Sequence, residues 1–183
     1  MPQSPEEIFD VVDSTDQVIG KAPRSQVHSI HLLHRAVHVL LFDSSGALVV
    51  QKRSATKDTY PGCYDSSASG HLNAGEDYDA AAARETQEEL GVLLPVGALQ
   101  KQFKIEACAD TGWEFVWVYI GPATSIMVPN PDEVESVTAL SRTQIESLLA
   151  TQPESCARSF RRVLNEIFKR GSFPAQPLPD VEV

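Results

Sequence analysis

The sequence predicts an α/β (α+β) domain, a mixed β-sheet packed by α-helices and preceded by an N-terminal β-hairpin. Three observations lead there. Two largely apolar runs, 36–42 and 47–51, flank the turn-former cluster Asp43-Ser44-Ser45-Gly46, as buried paired strands do. Apolar residues recur at a helical period in Phe160, Val163, Leu164, Ile167 and Phe168. Helix signals gather late in the chain, with none between the early strands.

In chain order, residues 8–12 and 17–20 read as the hairpin, joined by Asp13-Ser14-Thr15-Asp16. Strands 36–42 and 47–51 follow, then turn signals over 57–63 centred on Pro61-Gly62. Asp79 can cap a helix running to Leu90, with Gly91 placed to end it. Strands are expected at 102–105 and 115–120, then a loop holding Pro122, Pro129 and Pro131. Ser141 and Gln144 form a capping-box pattern for a helix to Ala150. Thr151 and Glu154 repeat it for the last helix, with Pro153 in the first turn and Gly171 as the stop. The expected organisation is a hairpin and lead-in over 1–33, one domain over 34–170, and a Pro-rich, extended or mobile tail over 171–183.

The chain has 183 residues, 42% hydrophobic and 22% charged, which suits one globular domain. Its net charge of −10 argues against nucleic acid and anionic membrane as partners. No apolar run approaches the roughly 20 residues of a membrane helix, and residues 1–10 lack a signal-peptide pattern. Three scattered cysteines, Cys63, Cys108 and Cys156, make neither a disulfide framework nor a zinc motif, so a reducing cytoplasm is expected.

Chemistry concentrates in 70–92. Residues three and four apart share a helix face, so Glu85, Glu88 and Glu89 project together, with Ala83, Thr86 and Leu90 on the core side. Such a trio needs a compensating cation, and Arg84 stands beside it. Oxygen ligands without His or Cys suit Mg²⁺ or Mn²⁺. Glycines at both ends allow positive φ in the flanking turns. Between Lys21 and Lys57, six basic residues (Lys21, Arg24, Arg35, Lys52, Arg53, Lys57) stand against Asp43, a strip suited to a magnesium-diphosphate substrate.

The pattern of Gly70, Glu76, Arg84, Glu85, Glu88, Glu89 and Gly91, followed by the apolar Val92, resembles the Nudix box at every position; the aliphatic slot after Glu85 holds Thr86. Resemblance to Nudix hydrolases implies a mixed sheet sandwiched between helices and cleavage of a diphosphate linkage in a small phosphorylated substrate. It implies that Glu88 and Glu89 hold the main divalent ion, that Glu85 ligates metal or acts as base, and that Arg84 orients Glu85. Gly70, Glu76 and Gly91 shape the box. Glu114, Glu133 and Glu135 are candidate extra metal ligands.

A narrower resemblance, over 8–150, is to isopentenyl-diphosphate isomerase and its bacterial Nudix relatives. It rests on Leu33-His34-Arg35-Ala36, the stretch from Gln51 to Lys57, Pro61-Gly62 and Ser69-Gly70-His71. Arg53 and Lys57 match the diphosphate-binding positions of the isomerases, and His34 and His71 match two of their metal-binding histidines. His28 falls one residue out of register for a third. The isomerase cysteine before Gly-His is Ser69 here, a far poorer acid–base group, while the hydrolase box is intact. Hydrolysis of a nucleoside-diphosphate-type or other organic diphosphate is therefore the expected activity. Isomerisation and noncatalytic ligand sensing are the alternatives. Without the resemblance, His28, His31, His34 and His38 read as structural or surface residues, Cys63 as a small buried one, and Trp113, Trp117 and Tyr119 as core or pocket wall. Trp113 is a candidate to stack on a base. The hairpin and tail are candidate contacts for a homodimer.

Overall fold

The computed structural model describes residues 6–174 and 178, so most of the predicted tail lies outside the described residues. The hairpin forms from β1 (Ile8–Val12) and β2 (Val18–Pro23). Asp13 closes its turn by accepting from the amides of Thr15 and Gln17 at 2.8 and 3.0 Å. Helix α1 (Arg24–Ser29) follows. The sequence reading lacks it, because six residues are too few to declare a helical period.

Seven strands form the main sheet: β3 (His34–Phe42), β4 (Leu48–Arg53), β5 (Tyr64–Asp65), β6 (Ala68–His71), β7 (Gln100–Ile105), β8 (Glu114–Pro122) and β9 (Val134–Leu140). β3 runs parallel to β8 along its whole length, from His34↔Glu114 to Phe42↔Pro122. The remaining pairings are antiparallel, so the sheet is mixed.

The other side of β3 is forked. Leu41 and Phe42 pair with Val49 and Leu48 of β4, whereas residues 36–39 pair with β6. Beyond the fork β4 turns away to pair with β5 and β9. The fully buried Ser67 bridges the opening: its Oγ accepts from the Leu41 amide at 2.8 Å and donates to the Val49 carbonyl. Strands β5, β6 and β9 go unread in the sequence. They are very short, small-residue or polar, and lack the alternation that marks a half-buried strand.

Helix α2 (Tyr78–Leu90) covers one face, where Ala81, Ala82 and Leu90 pack with Val37, Val39 and Leu41. Its N-cap is Asp77 rather than Asp79: the Asp77 side chain accepts from the Ala80 amide at 2.8 Å. Ala83 is exposed, so the core side is carried by Ala82, Thr86, Glu89 and Leu90. Helices α3 (Arg142–Thr151) and α4 (Arg158–Arg170) cover the other face, packing Ile145, Phe160, Leu164 and Ile167 on Ala36, Leu40 and Phe42.

The Ser141–Gln144 capping box is present. The second one is not: Pro153–Ser155 forms an isolated 3₁₀ turn and α4 starts after Ala157. The cause is a bridge between Cys156 and Tyr64, with the Ala157 amide on the Tyr64 carbonyl, which holds this stretch extended. Cys156 is buried, while Cys63 is only half-buried. Among the described residues, no helix is long and apolar enough to cross a membrane.

Candidate active site

A cavity of about 570 Å³ opens where β4 leaves β3, and the carboxylates of α2 line it together with His28 and His71. Arg84 organises the carboxylates. Its Nε and Nη2 grip both oxygens of Glu76 at 2.8 and 2.9 Å, and Nη2 also donates to the His71 carbonyl. Nη1 donates to Glu85 at 2.8 Å and Glu88 at 2.9 Å. Glu76 in turn accepts from the Asn73 amide, which shapes the loop entering the helix. Burial opposes ionisation of Glu76, but the Arg84 and Asn73 hydrogen bonds prevail and hold its carboxyl below the usual range.

The three box carboxylates do not share one environment. Glu88 stands 56% exposed, whereas Glu89 is 3% exposed and turns inward against β6. There it accepts from the Ser69 amide at 3.0 Å and the Gln51 side chain at 2.9 Å. Burial, then the neighbouring Glu85, pushes Glu89 up to about 8. Burial likewise raises Glu85 to about 7, against the pull of Arg84.

Gly70 is not in a positive-φ conformation; it is required by close approach. A Cβ there would lie 2.1 Å from Glu85 Oε1. Gly91 does adopt φ 67°, and a Cβ there would meet the Val128 carbonyl at 2.8 Å.

The second group joins His28, His34 and His71, whose ligand nitrogens lie within 4.8 Å of one another. His28 reaches the group despite its register, because α1 precedes a link in which His31 takes φ 57°. Phe9 of the hairpin stacks on His34 and His71 at 5.8 and 4.7 Å. Glu114 Oε1 stands 3.0 Å from His71 Nε2 and 3.5 Å from His34 Nε2. Its carboxyl is held well below the usual range: burial raises it, but the two imidazoles outweigh that. His34 Nδ1 donates to the Leu32 carbonyl at 2.8 Å, which leaves the buried Nε2 without a hydrogen-bond partner among the described residues. Burial, then His71 and His34, takes His28 down to about 4, so it is neutral at pH 7.

Of the basic strip, Arg24, Arg53 and Lys57 line the cavity, while Lys21, Arg35 and Lys52 pair elsewhere with Asp10, Asp16 and Glu135. Arg53 is committed to Asp65 at 3.1 Å and the Thr59 carbonyl at 3.1 Å; Lys57 pairs with Glu133. Glu114 and Glu133 line the cavity, and Glu135 does not. Trp113 flanks His31 rather than the cavity, at 5.9 Å and with φ 68°. His38 also lines the cavity, although its place within an apolar strand run reads in the sequence as structural.

The NUDIX domain family model matches residues 32–162. The isopentenyl-diphosphate Delta-isomerase 2 of Photorhabdus laumondii is 31% identical, covering 87% of this chain and 92% of that one. A Nudix hydrolase of Streptomyces coelicolor is 36% identical over 80% of this chain and 81% of its own. The fold is similar to a crystal structure from Deinococcus radiodurans, with TM-score 0.75, 25% identity, and 87% and 98% of the two chains covered. The chain belongs to the Nudix hydrolase family, enzymes of acid anhydrides that act on diphosphate linkages.

Proposed function

We propose that this enzyme hydrolyses an organic diphosphate of the nucleoside-diphosphate type, with Mg²⁺ or Mn²⁺ held by Glu85, Glu88 and Glu89. The observation that carries the reading is Glu89, a buried carboxylate held, among the described residues, by two neutral donors and no cationic side chain. An ionised group in that position calls for a cation, and an all-oxygen donor set fits a hard one. When bound, such an ion supplies positive charge to phosphoryl oxygens and makes water more acidic. Arg84 positions Glu85 and Glu88. Glu85, oriented by Arg84 and lining the cavity, is the candidate group to take a proton from attacking water. Arg53 and Lys57 flank the cavity as candidate diphosphate contacts, and Glu114 and Glu133 as further ligands. A small phosphorylated substrate in a cytoplasmic setting completes the reading.

The test is a screen of nucleoside diphosphate derivatives with Mg²⁺ or Mn²⁺. Glu89→Gln is expected to reduce turnover by more than about 100-fold, beyond what a merely supporting residue costs, with its circular dichroism unchanged. Undiminished turnover in that variant sinks the assignment.

One observation favours a second reading. His34 Nε2, without a hydrogen-bond partner among the described residues, offers with His28, His71 and Glu114 a nitrogen-and-carboxylate set that fits a transition-metal ion, and His34 and His71 match metal-binding positions of the isomerases that the chain resembles. Isoprenoid diphosphate isomerisation would require another group in place of the isomerase cysteine, where Ser69 stands. Deuterium uptake into isopentenyl diphosphate from heavy water would establish it; its absence leaves hydrolysis alone.

A further inference from the structure

We propose that His38 is a substrate-binding residue that donates its Nε2–H to a phosphate oxygen at the cavity floor. The inference rests on the organic-diphosphate reading above. His38 lies four residues along β3 from His34, opposite Ser69 of β6, with 3% of its surface exposed. Its Nδ1 stands 2.7 Å from the Ser66 hydroxyl.

Ser66 is fully buried, and among the described residues His38 is the one partner of its hydroxyl. A buried O–H needs an acceptor, so Ser66 donates to Nδ1. That assignment puts the imidazole proton on Nε2. Among the described residues Nε2 has no hydrogen-bond partner, and His38 lines the cavity.

The residues around the ring hold this arrangement in place. Asp65 Oδ1 accepts from the Ser66 amide at 2.8 Å, and Asp65 Oδ2 accepts from Arg53 Nη1 at 3.1 Å. Desolvation outweighs the nearby Asp65 and Glu114 and keeps His38 below its ordinary pKa, so the ring is neutral. A neutral N–H gives direction to an anionic ligand without requiring a counter-charge when the cavity is empty. Diphosphate oxygens are acceptors only, and Arg53 and Lys57 line the same cavity.

The experiment is calorimetric binding of methylenediphosphonate with Mg²⁺ to the full chain, in wild type, His38→Leu and His38→Gln. Glutamine places an N–H near the Nε2 position; leucine removes it. Leucine is expected to weaken binding about 10-fold, the scale of one net hydrogen bond, and glutamine to restore most of it. In ¹⁵N-histidine spectra of the wild type, His38 should show Nε2 protonated and its signal should move on adding the probe. That measurement decides the matter even if the leucine variant does not fold. Equal affinity in all three proteins, equal weakening by leucine and glutamine, or an unprotonated Nε2 overturns the role of His38 while leaving the diphosphate reading intact. No binding by the wild type overturns both.

Discussion

Arg84 divides its donors among Glu76, Glu85, Glu88 and a backbone carbonyl, which fixes where the box carboxylates can stand. Gly70 completes that placement by leaving room for Glu85. In Gly70→Ala the added methyl collides with the end of a flexible side chain, not with backbone. The fold should survive, with Tm shifted by a few degrees at most. Turnover should fall about 100-fold, the scale of a displacement of about 1 Å in a catalytic group, and parallel melts and rates separate the two effects. The box residues were legible because one helix carries them at fixed offsets. The reason for Gly70 was not, because close approach depends on a partner fifteen positions away folding back onto it. His28 was illegible for a related reason: a count of residues does not reveal that His31 turns the backbone by a positive φ.

At the scale of elements, the strands with long apolar runs and the capped helices were readable, whereas β5, β6 and β9 were not. Their stability comes from neighbours: β9 borrows its ladder from β4, and β6 from β3. The start of α4 was misread because a tertiary bridge to Tyr64 outweighs a local capping pattern. Ser67 shows how the fork is maintained. Ser67→Ala would leave the Leu41 amide and the Val49 carbonyl buried without that partner. The expected cost is about 1–3 kcal/mol, measurable as a lower urea midpoint with an unchanged m-value.

For the whole molecule, the charge of −10 is concentrated: six acids against one arginine over 70–91 account for −5 of it. The interior position of Glu85 and Glu89 gives that concentration a thermodynamic sign. Unfolded, these carboxyls ionise near 4.5; folded without metal, they hold their protons to about 7 and about 8. The native state then binds more protons than the unfolded state across that window, so stability falls as pH rises from about 4.5 to 8. Melts in a chelator should show Tm lower at pH 8.5 than at pH 6.5. Glu89→Gln should flatten the decline, and Mg²⁺ should reverse it by binding the native state. A chelated protein whose Tm rises over this range contradicts the assignment.

The fork in the sheet also has a mechanical meaning. β3 with β8, β7 and β6 makes one stiff plate, and β4 with β5 and β9 another. In the ladder the plates meet at two residue pairs; the Ser67 hydroxyl bridges the opening, and Glu89 ties Gln51 of β4 to Ser69 of β6. A ligand spanning the gap would act as a further tie. Amide exchange at Leu41, Leu48 and Val49 should then slow on ligand binding far more than exchange along β3 and β8. Because strands of both plates line the cavity at that seam, a substrate held there would bear on both at once.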